Sequence, residues 1–324
     1  MPSVKSAMKA LCKMPVSPNR KATPPANGAL ASGSPNAASL PGLFGYTGLS
    51  LLSFAANSLL CRLALGGATI DAASFASLRL AAGALLLSLL NHAAPAPTEP
   101  IARGNWAAAA WLFLYAAAFS FAYRGLSTGV GALLLFGAVQ FTMLLAALRN
   151  GERLRPQAWL GWLLAFAGLL WLTAPSLRTP QPWSALLMIL AGVAWGKYSL
   201  WGKHSRAPLA DTNANFVRAT PFALAISLLN TPHWQLSAKG VCLALISGAL
   251  TSGIGYVLWY RALRGLTATQ AAIAQLSVPV WAALGGIVFL AEAASWRLVS
   301  AGLLLLGGVA VATLIPARLF SWAR

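Results

Sequence analysis

From residue 43 onward, apolar stretches of about 20 residues recur along nearly the whole chain, parted by short turns that carry most of the cations. A bilayer core is ~30 Å thick and a helix rises ~1.5 Å per residue, so about 20 apolar residues cross it. Hydrocarbon offers peptide groups no water, so only helices or a closed barrel can span it. A barrel would show alternating segments of ~10 residues; these runs are continuous. The expected fold class is therefore all-α and integral to a membrane. Composition agrees: 58% of residues are hydrophobic and 9% are charged, against about 25% charged in an ordinary soluble domain.

Ten spans are expected, near 43–65, 72–91, 105–123, 128–149, 157–174, 183–203, 212–230, 238–260, 267–291 and 298–316. Residues 1–41 form a separate basic tail. Lys5, Lys9 and Lys13 are spaced to share a helical face, and Pro, Ser, Ala, Asn and Gly dominate thereafter, a composition that predicts disorder. No secretory h-region precedes the first span, so no cleaved signal is expected. Residues 318–324 form a second short tail. With an even number of spans both termini share a side. Placing them in the cytoplasm puts 15 Lys and Arg in inner segments and 4 in outer loops, which the positive-inside rule favours. The net charge of +18 is thus a membrane signature. An apolar chain has no solvated basic face for nucleic acid, and none is expected as a partner. The expected location is a bacterial cytoplasmic (inner) membrane, with the lipid bilayer and a small solute as partners.

The chain repeats itself. Asp71 and Asp211 open spans two and seven at an offset of 140 residues, and Glu152 and Glu292 end spans four and nine at the same offset. Arg79 and Arg218 are 139 apart. Tyr123-Arg124-Gly125-Leu126 matches Tyr260-Arg261-Ala262-Leu263 at 137. Residues 42–177 and 178–317 therefore read as two copies of one five-span unit. Five is odd, so the second copy enters from the opposite face. Inverted repeats of this kind underlie many secondary transporters, whose halves exchange shapes to open a central site to each side in turn.

Several stretches carry a resemblance: SFASLRLAAGALLL (74–87), GALLLFGAVQFTMLLAALRNGERL (131–154), LAGVAWGKYSLWGK (190–203), GYVLWYRAL (255–263) and QLSVPVWAALGGIVFLAE (275–292). Over residues 43–316 the sequence resembles the ten-helix EamA family of the drug/metabolite transporter (DMT) superfamily. The resemblance implies ten helices in two inverted five-helix repeats. It implies transport of small metabolites, often export of amino acids or related compounds. It also implies a cavity lined mainly by spans one, three, four, six, eight and nine. The family's first repeat commonly carries a proline like Pro279; here Val139-Gln140 stands in its place.

Individual residues admit both a functional and a plainer role. Pro279 at the middle of span nine is an expected helix break, with Gln270 and Gln275 before it and Gln140 as the positional counterpart in span four. Amides at that depth either meet solute or link helices. Lys197 in span six either pairs with a substrate carboxylate or snorkels to the membrane surface. Tyr115 with Phe119, Trp195 with Tyr198, and Tyr256 with Trp259 share helix faces and either line the cavity or pack. Arg79 and Arg218 are expected to be structural, bonding to neighbouring spans, because spans two and seven are not cavity helices in the resembled family. Asp71, Asp211, Glu152 and Glu292 sit at helix ends and read as structural charges. No acid or histidine lies at mid-span to carry a proton. The three cysteines, Cys12, Cys61 and Cys242, form no CxxC pattern, and no metal or other cofactor is expected. Neither HExxH nor GxSxG occurs, so no enzyme is expected. A different class of function remains open, a membrane scaffold or sensor using the basic tail.

Overall fold

The computed structural model describes residues 40–94, 104–126, 128–152, 155–174, 181–290 and 296–314. Glu292, Arg153, Arg178 and the basic tail, on which several expectations fall, lie outside them. Every named element is helical: α1 (Leu40–Leu65), α2 (Ala72–Ala93), α3 (Trp106–Ala122), α4 (Thr128–Arg149), α5 (Pro156–Thr173), α6 (Pro182–Gly202), α7 (Pro208–Leu229), α8 (Ala238–Leu263), α9 (Ala268–Gln275), α10 (Val278–Leu290) and α11 (Trp296–Leu314).

The starts of these helices are written in the sequence. Asp71 caps α2, its Oδ1 accepting from the backbone N–H of Ala73 at 3.1 Å and Ser74 at 2.9 Å. Asn105 caps α3 and Ser237 caps α8. Prolines open α5, α6 and α7, where a missing N–H costs no helical bond. Thr267 and Gln270 form a reciprocal capping box at the start of α9.

Among the described residues, six helical stretches are long and apolar enough to cross a membrane: Pro41–Leu65, Ala72–Ala93, Gly131–Arg149, Pro182–Gly202, Ala238–Leu263 and Ala268–Phe289. Three shorter apolar ones are Trp106–Ala122, Pro156–Leu172 and Trp296–Ala312. The last stretch expected as a span, α7, is long enough but more polar, because Asp211, Thr212, Asn213, Asn215, Arg218 and Thr220 all fall on it. Large apolar side chains such as Leu85, Phe141, Val288 and Phe289 face outward, while Ser, Thr, Asn and Gln side chains are buried. That is the reverse of a water-soluble bundle and is what a lipid solvent selects. Trp106, Trp159, Trp183, Trp234 and Trp296, near helix ends, are all exposed. The protein is a multi-pass helical membrane protein.

Helices pack closely against one another. α2 packs on α7, and α5 on α11; α3 packs on α6, and α8 on α1; α4 packs on α6, and α10 on α1. Small residues let them approach. A Cβ added to Gly161 would meet the Gly308 carbonyl oxygen, and one added to Gly308 would meet Gly161 O and Ala165 N. Gly308→Val is therefore expected to force α5 and α11 apart and to cost about 1–3 kcal/mol, read as a lower melting temperature in detergent; an unchanged melting curve would mean this contact is not tight.

The two aspartates expected to open spans two and seven are used alike. Asp71 accepts from Asn230 Nδ2 at 3.3 Å and Gln235 N at 3.1 Å, in the turn after α7. Asp211 accepts from Gly104 N at 2.9 Å, in the turn after α2, and from Ser205 Oγ. Each thus ties its own helix start to the turn that follows the other's helix. At Asp71, partial burial raises the carboxyl pKa, but hydrogen bonds from Ser74, Gln235 and Ala73 outweigh it, and the net shift is downward. The stabilisation is present above the ordinary carboxylate pKa near ~3.9 and is lost as pH falls through the lower folded value. Asp71→Ala is expected to cost about 1 kcal/mol of stability at neutral pH, as loss of a cap does. It should also flatten the acid limb of a melting-temperature profile; an unaltered profile would assign the acid sensitivity elsewhere.

Two departures from regular helix matter for function. Residues Ser247–Ile254 of α8 form a π-helical stretch. Between α9 and α10 the helix stops for Leu276 and Ser277. There the Leu276 N–H bonds to Ile273 O at 3.0 Å and the Ser277 N–H to Ala274 O at 3.1 Å. Those are tight three-residue turns, not i→i−4 bonds. Val278 and Pro279 then open α10, where proline's missing N–H does least harm.

Candidate functional site

The break leaves carbonyls near the end of α9 without their usual helical donors. One glutamine covers the first of them, Ala272 O, and a second bonds the carbonyl just before it, Ala271 O. Gln140 of α4, fully buried, donates Nε2 to Ala272 O at 2.6 Å. Gln275, also fully buried, donates Nε2 to Ala271 O at 3.2 Å and lies 3.4 Å from Met143 Sδ. Gln275 Oε1 accepts from the Trp195 indole at 2.5 Å, which fastens α6 to the end of α9. Gln140 Oε1 is buried with no hydrogen-bond partner. These amides hold the discontinuity together.

Beside the break lies a cavity with two joined parts. The outer part has a volume of about 160 Å³ and lies among α1, α3, α4 and α10, with Leu172 of α5; Arg62, Tyr123, Ala132, Pro279 and Ala282 are on its wall. The inner part is small, about 30 Å³, and is lined by Asn57, Tyr115, Trp195, Tyr256 and Gln275, among others. Ser58, Phe119, Leu135, Phe136 and Val278 line both. Apart from Leu172 of α5, the lining residues fall on α1, α3, α4, α6, α8, α9 and α10 or just beyond their ends, within the expected spans one, three, four, six, eight and nine. The outer part lies toward the end of the bundle that carries the C-termini of α1 and α3.

Aromatic rings close the other end. Trp195 meets Phe54 edge-on at 5.2 Å and lies 4.9 Å from Tyr115 and 4.7 Å from Tyr256. Behind it, Tyr198 packs on Tyr260 at 5.1 Å, and the Trp259 indole donates to Ser199 Oγ at 3.1 Å. Trp259 and Tyr198 are fully buried. Both sit behind the inner cavity, outside its wall.

The structure thus gathers Tyr115, Trp195, Tyr256 and Gln275 around one small space, with Gln140 linking the helices next to it. It separates two other candidates. Lys197 is exposed on the outer face of α6, because Trp195 and Tyr198 turn inward and Gly196 packs on Thr142. Its role as a cavity cation is corrected to an outward-facing lysine. Gln270 spends its side chain in the capping box, away from the cavity, and is corrected to a helix-start residue. Pro279 is on the wall of the outer cavity.

Sequence reasoning undervalued Arg79. It was expected to bond carbonyls of neighbouring spans. Instead it is 1% exposed and bonds only side-chain hydroxyls: Ser252 Oγ from Nε at 2.8 Å, and Tyr256 OH at 2.6 Å and Tyr115 OH at 3.5 Å from Nη2. Its guanidinium lies 5.4 Å from the Tyr115 ring centre and 6.0 Å from that of Phe119. Nη1 has no partner. The π stretch explains the arrangement. A Cβ on Gly248 would collide with the Arg79 carbonyl, so glycine lets α8 close on α2, and the widened turn presents Ser252 and Tyr256 to the guanidinium. Such π segments often mark functional sites. Arg218 is placed differently, partly buried with its guanidinium 5.3 Å from the Trp106 ring centre. The residue 140 on from Arg79 is Ala219, fully buried. A one-residue slip turns a helical side chain by ~100°, so the two arginines are not equivalents. Glu152 follows the end of α4, its backbone N–H bonding Ala147 O at 2.9 Å. Among the described residues there is no metal-binding cluster.

A discontinuous helix beside a blind cavity in an all-helical membrane bundle is the architecture of a membrane transporter. Residues 182–314 match the EamA-like transporter family. An uncharacterized protein of Pseudomonas aeruginosa is 54% identical over 265 residues, covering 82% of this chain and 92% of that one. Uncharacterized transporters of Archaeoglobus fulgidus and Bacillus subtilis are 29% and 27% identical, covering 56% and 58% of this chain and 67% of each relative. A protein of known crystal structure shares the fold, with a TM-score of 0.71 at 20% identity, over 85% of this chain and 98% of that one. The chain belongs to the EamA-like transporter family of the drug/metabolite transporter superfamily.

Proposed function

We propose that the protein is a secondary transporter that moves a small metabolite, an amino acid or related compound, out across the cytoplasmic membrane. It does so by alternating access between two inverted five-helix repeats. The blind cavity carries this reading: it reaches the middle of the bundle from one end and stops against Trp195, whose indole is tied to Gln275 beside the helix break. The helix pairing supports the inverted repeat, since α2 with α7 and α5 with α11 join counterparts, and the α3–α6 contact is answered by α8–α1. The crossed use of Asp71 and Asp211 supports it too. With both termini in the cytoplasm, the outer part of the cavity faces outside and the aromatic layer seals the inside.

Transport would proceed by loosening that layer while the outer part closes, with the two-residue gap at Leu276 and Ser277 as the hinge. The break needs only local turns and two amide bonds to re-form on the other side. Metabolite profiling of cells with and without the gene product tests this. A small metabolite should accumulate in cells lacking the protein and fall in the medium. Identical profiles inside and out, across growth conditions, would count against export.

A further inference from the structure

Arg79 is the one fully buried cation among the described residues, and no described carboxylate bonds to it. A guanidinium keeps its proton under all ordinary conditions, so a positive charge stands in the core of the bundle balanced only by hydroxyl dipoles and ring faces. Burying a charge unpaired is costly. Its Nη2 gives its hydrogens to the oxygens of Tyr256 and Tyr115, and these two phenols also contact each other, so a ligand oxygen would draw their hydrogens away from that contact. Both tyrosines are on the wall of the inner cavity. A second cation, Arg62, lines the outer part, and no carboxylate lines either part. The remaining wall is mostly aromatic or aliphatic.

We infer that the inner cavity binds the carboxylate of a small monocarboxylic solute whose apolar body occupies the outer cavity. Tyr115 and Tyr256 donate to the carboxylate oxygens, and Arg79 is the positioning residue behind them, supplying the countercharge through the two phenols. Sizes match: about 30 Å³ is room for roughly two water-sized oxygens, and about 160 Å³ takes a compact apolar group. The inference rests on the transport reading only for the identity of the solute; the site itself is a binding site and is tested as one.

The test uses the full chain purified in detergent and three acids, phenylacetate, 4-methylvalerate and indole-3-acetate, each paired with its uncharged primary amide. Equilibrium binding is measured for all six. At least one acid should bind about tenfold or more tightly than its amide, as charge-assisted hydrogen bonds predict. Arg79→Gln should bring acid and amide to within about twofold, while Arg79→Lys keeps most of the preference, which a merely structural role would not do. If Arg79→Gln does not fold, the Tyr115→Phe/Tyr256→Phe double variant gives the same reading. No acid bound, amides bound as tightly as acids, or a preference that survives both variants would overturn the site. Flux distinguishes the two proposals. An acid preference without movement across liposomes leaves the site and removes the transporter. Amides carried as fast as acids leave the transporter and remove the site.

Discussion

Trp195→Ala is expected to lower the melting temperature sharply and to open the closed end of the cavity. The indole touches Phe54, Tyr115, Tyr198 and Tyr256 and is the donor to Gln275 Oε1. Removing a buried aromatic costs about 3–5 kcal/mol. In a bilayer the water-transfer part is largely absent, because lipid tails are as apolar as the core, so the lower end, about 3 kcal/mol, is expected. The stranded Gln275 oxygen is rescued by water entering the gap, and that water is the functional consequence. Trp195→Phe keeps much of the ring contact, loses only the hydrogen bond, and should cost about 1–3 kcal/mol. Thermal unfolding of the three proteins in the same detergent checks the order. An alanine variant as stable as the parent would show that the aromatic layer is not a packed seal.

Arg79→Met carries the second large effect, in an unusual direction. A residue kept for structure loses about 3–5 kcal/mol when a buried charged network is broken. Arg79 has no charged partner to strand. Its removal leaves only Ser252, Tyr115 and Tyr256 hydroxyls, and takes an unbalanced charge out of a low-dielectric core. Replacing buried charge with apolar volume is often neutral or stabilising by about 1–4 kcal/mol. The variant should therefore melt at or above the parent temperature while losing function, the signature of a residue retained at the expense of stability. A strongly destabilised Arg79→Met protein would return Arg79 to a structural role.

Much of the helical frame was legible in the sequence, because lipid leaves a chain few choices. Hydropathy and the turns between apolar runs placed the helix starts near Asp71, Asn105, Pro156, Pro182 and Thr267, whereas α7 begins at Pro208, four residues before the expected 212. The helix break was legible too, since a proline with nearby amides has few places to go; the sequence could not show that the gap falls at Leu276 and Ser277, just before the proline. Side-chain direction was harder. Lys197 and Trp195 are two residues apart on α6 and point to opposite sides, and these all-apolar helices have no periodicity to tell lipid from cavity. Arg79 was misjudged by assigning its helix to the periphery. The signal that would have found it was there: an intramembrane arginine with no acid within a turn on its own helix, and glycines at 83 and 248 where two helices close. Pairing it with Arg218 at an offset of 139, against 140 for the acids, hid the one-residue slip that separates their environments.

Flux through the cavity is the most direct test of the account. Protein reconstituted in liposomes is loaded with a mixture of small cytosolic metabolites, and their release is followed by mass spectrometry. The wild type should release one or a few small carboxylates faster than protein-free liposomes do. Ala282→Trp, which fills the outer cavity wall without touching Arg79 or the aromatic layer, should abolish that release while leaving the melting temperature within a few degrees of the parent. Release of no metabolite above the protein-free rate, or undiminished release by a well-folded Ala282→Trp protein, would contradict it.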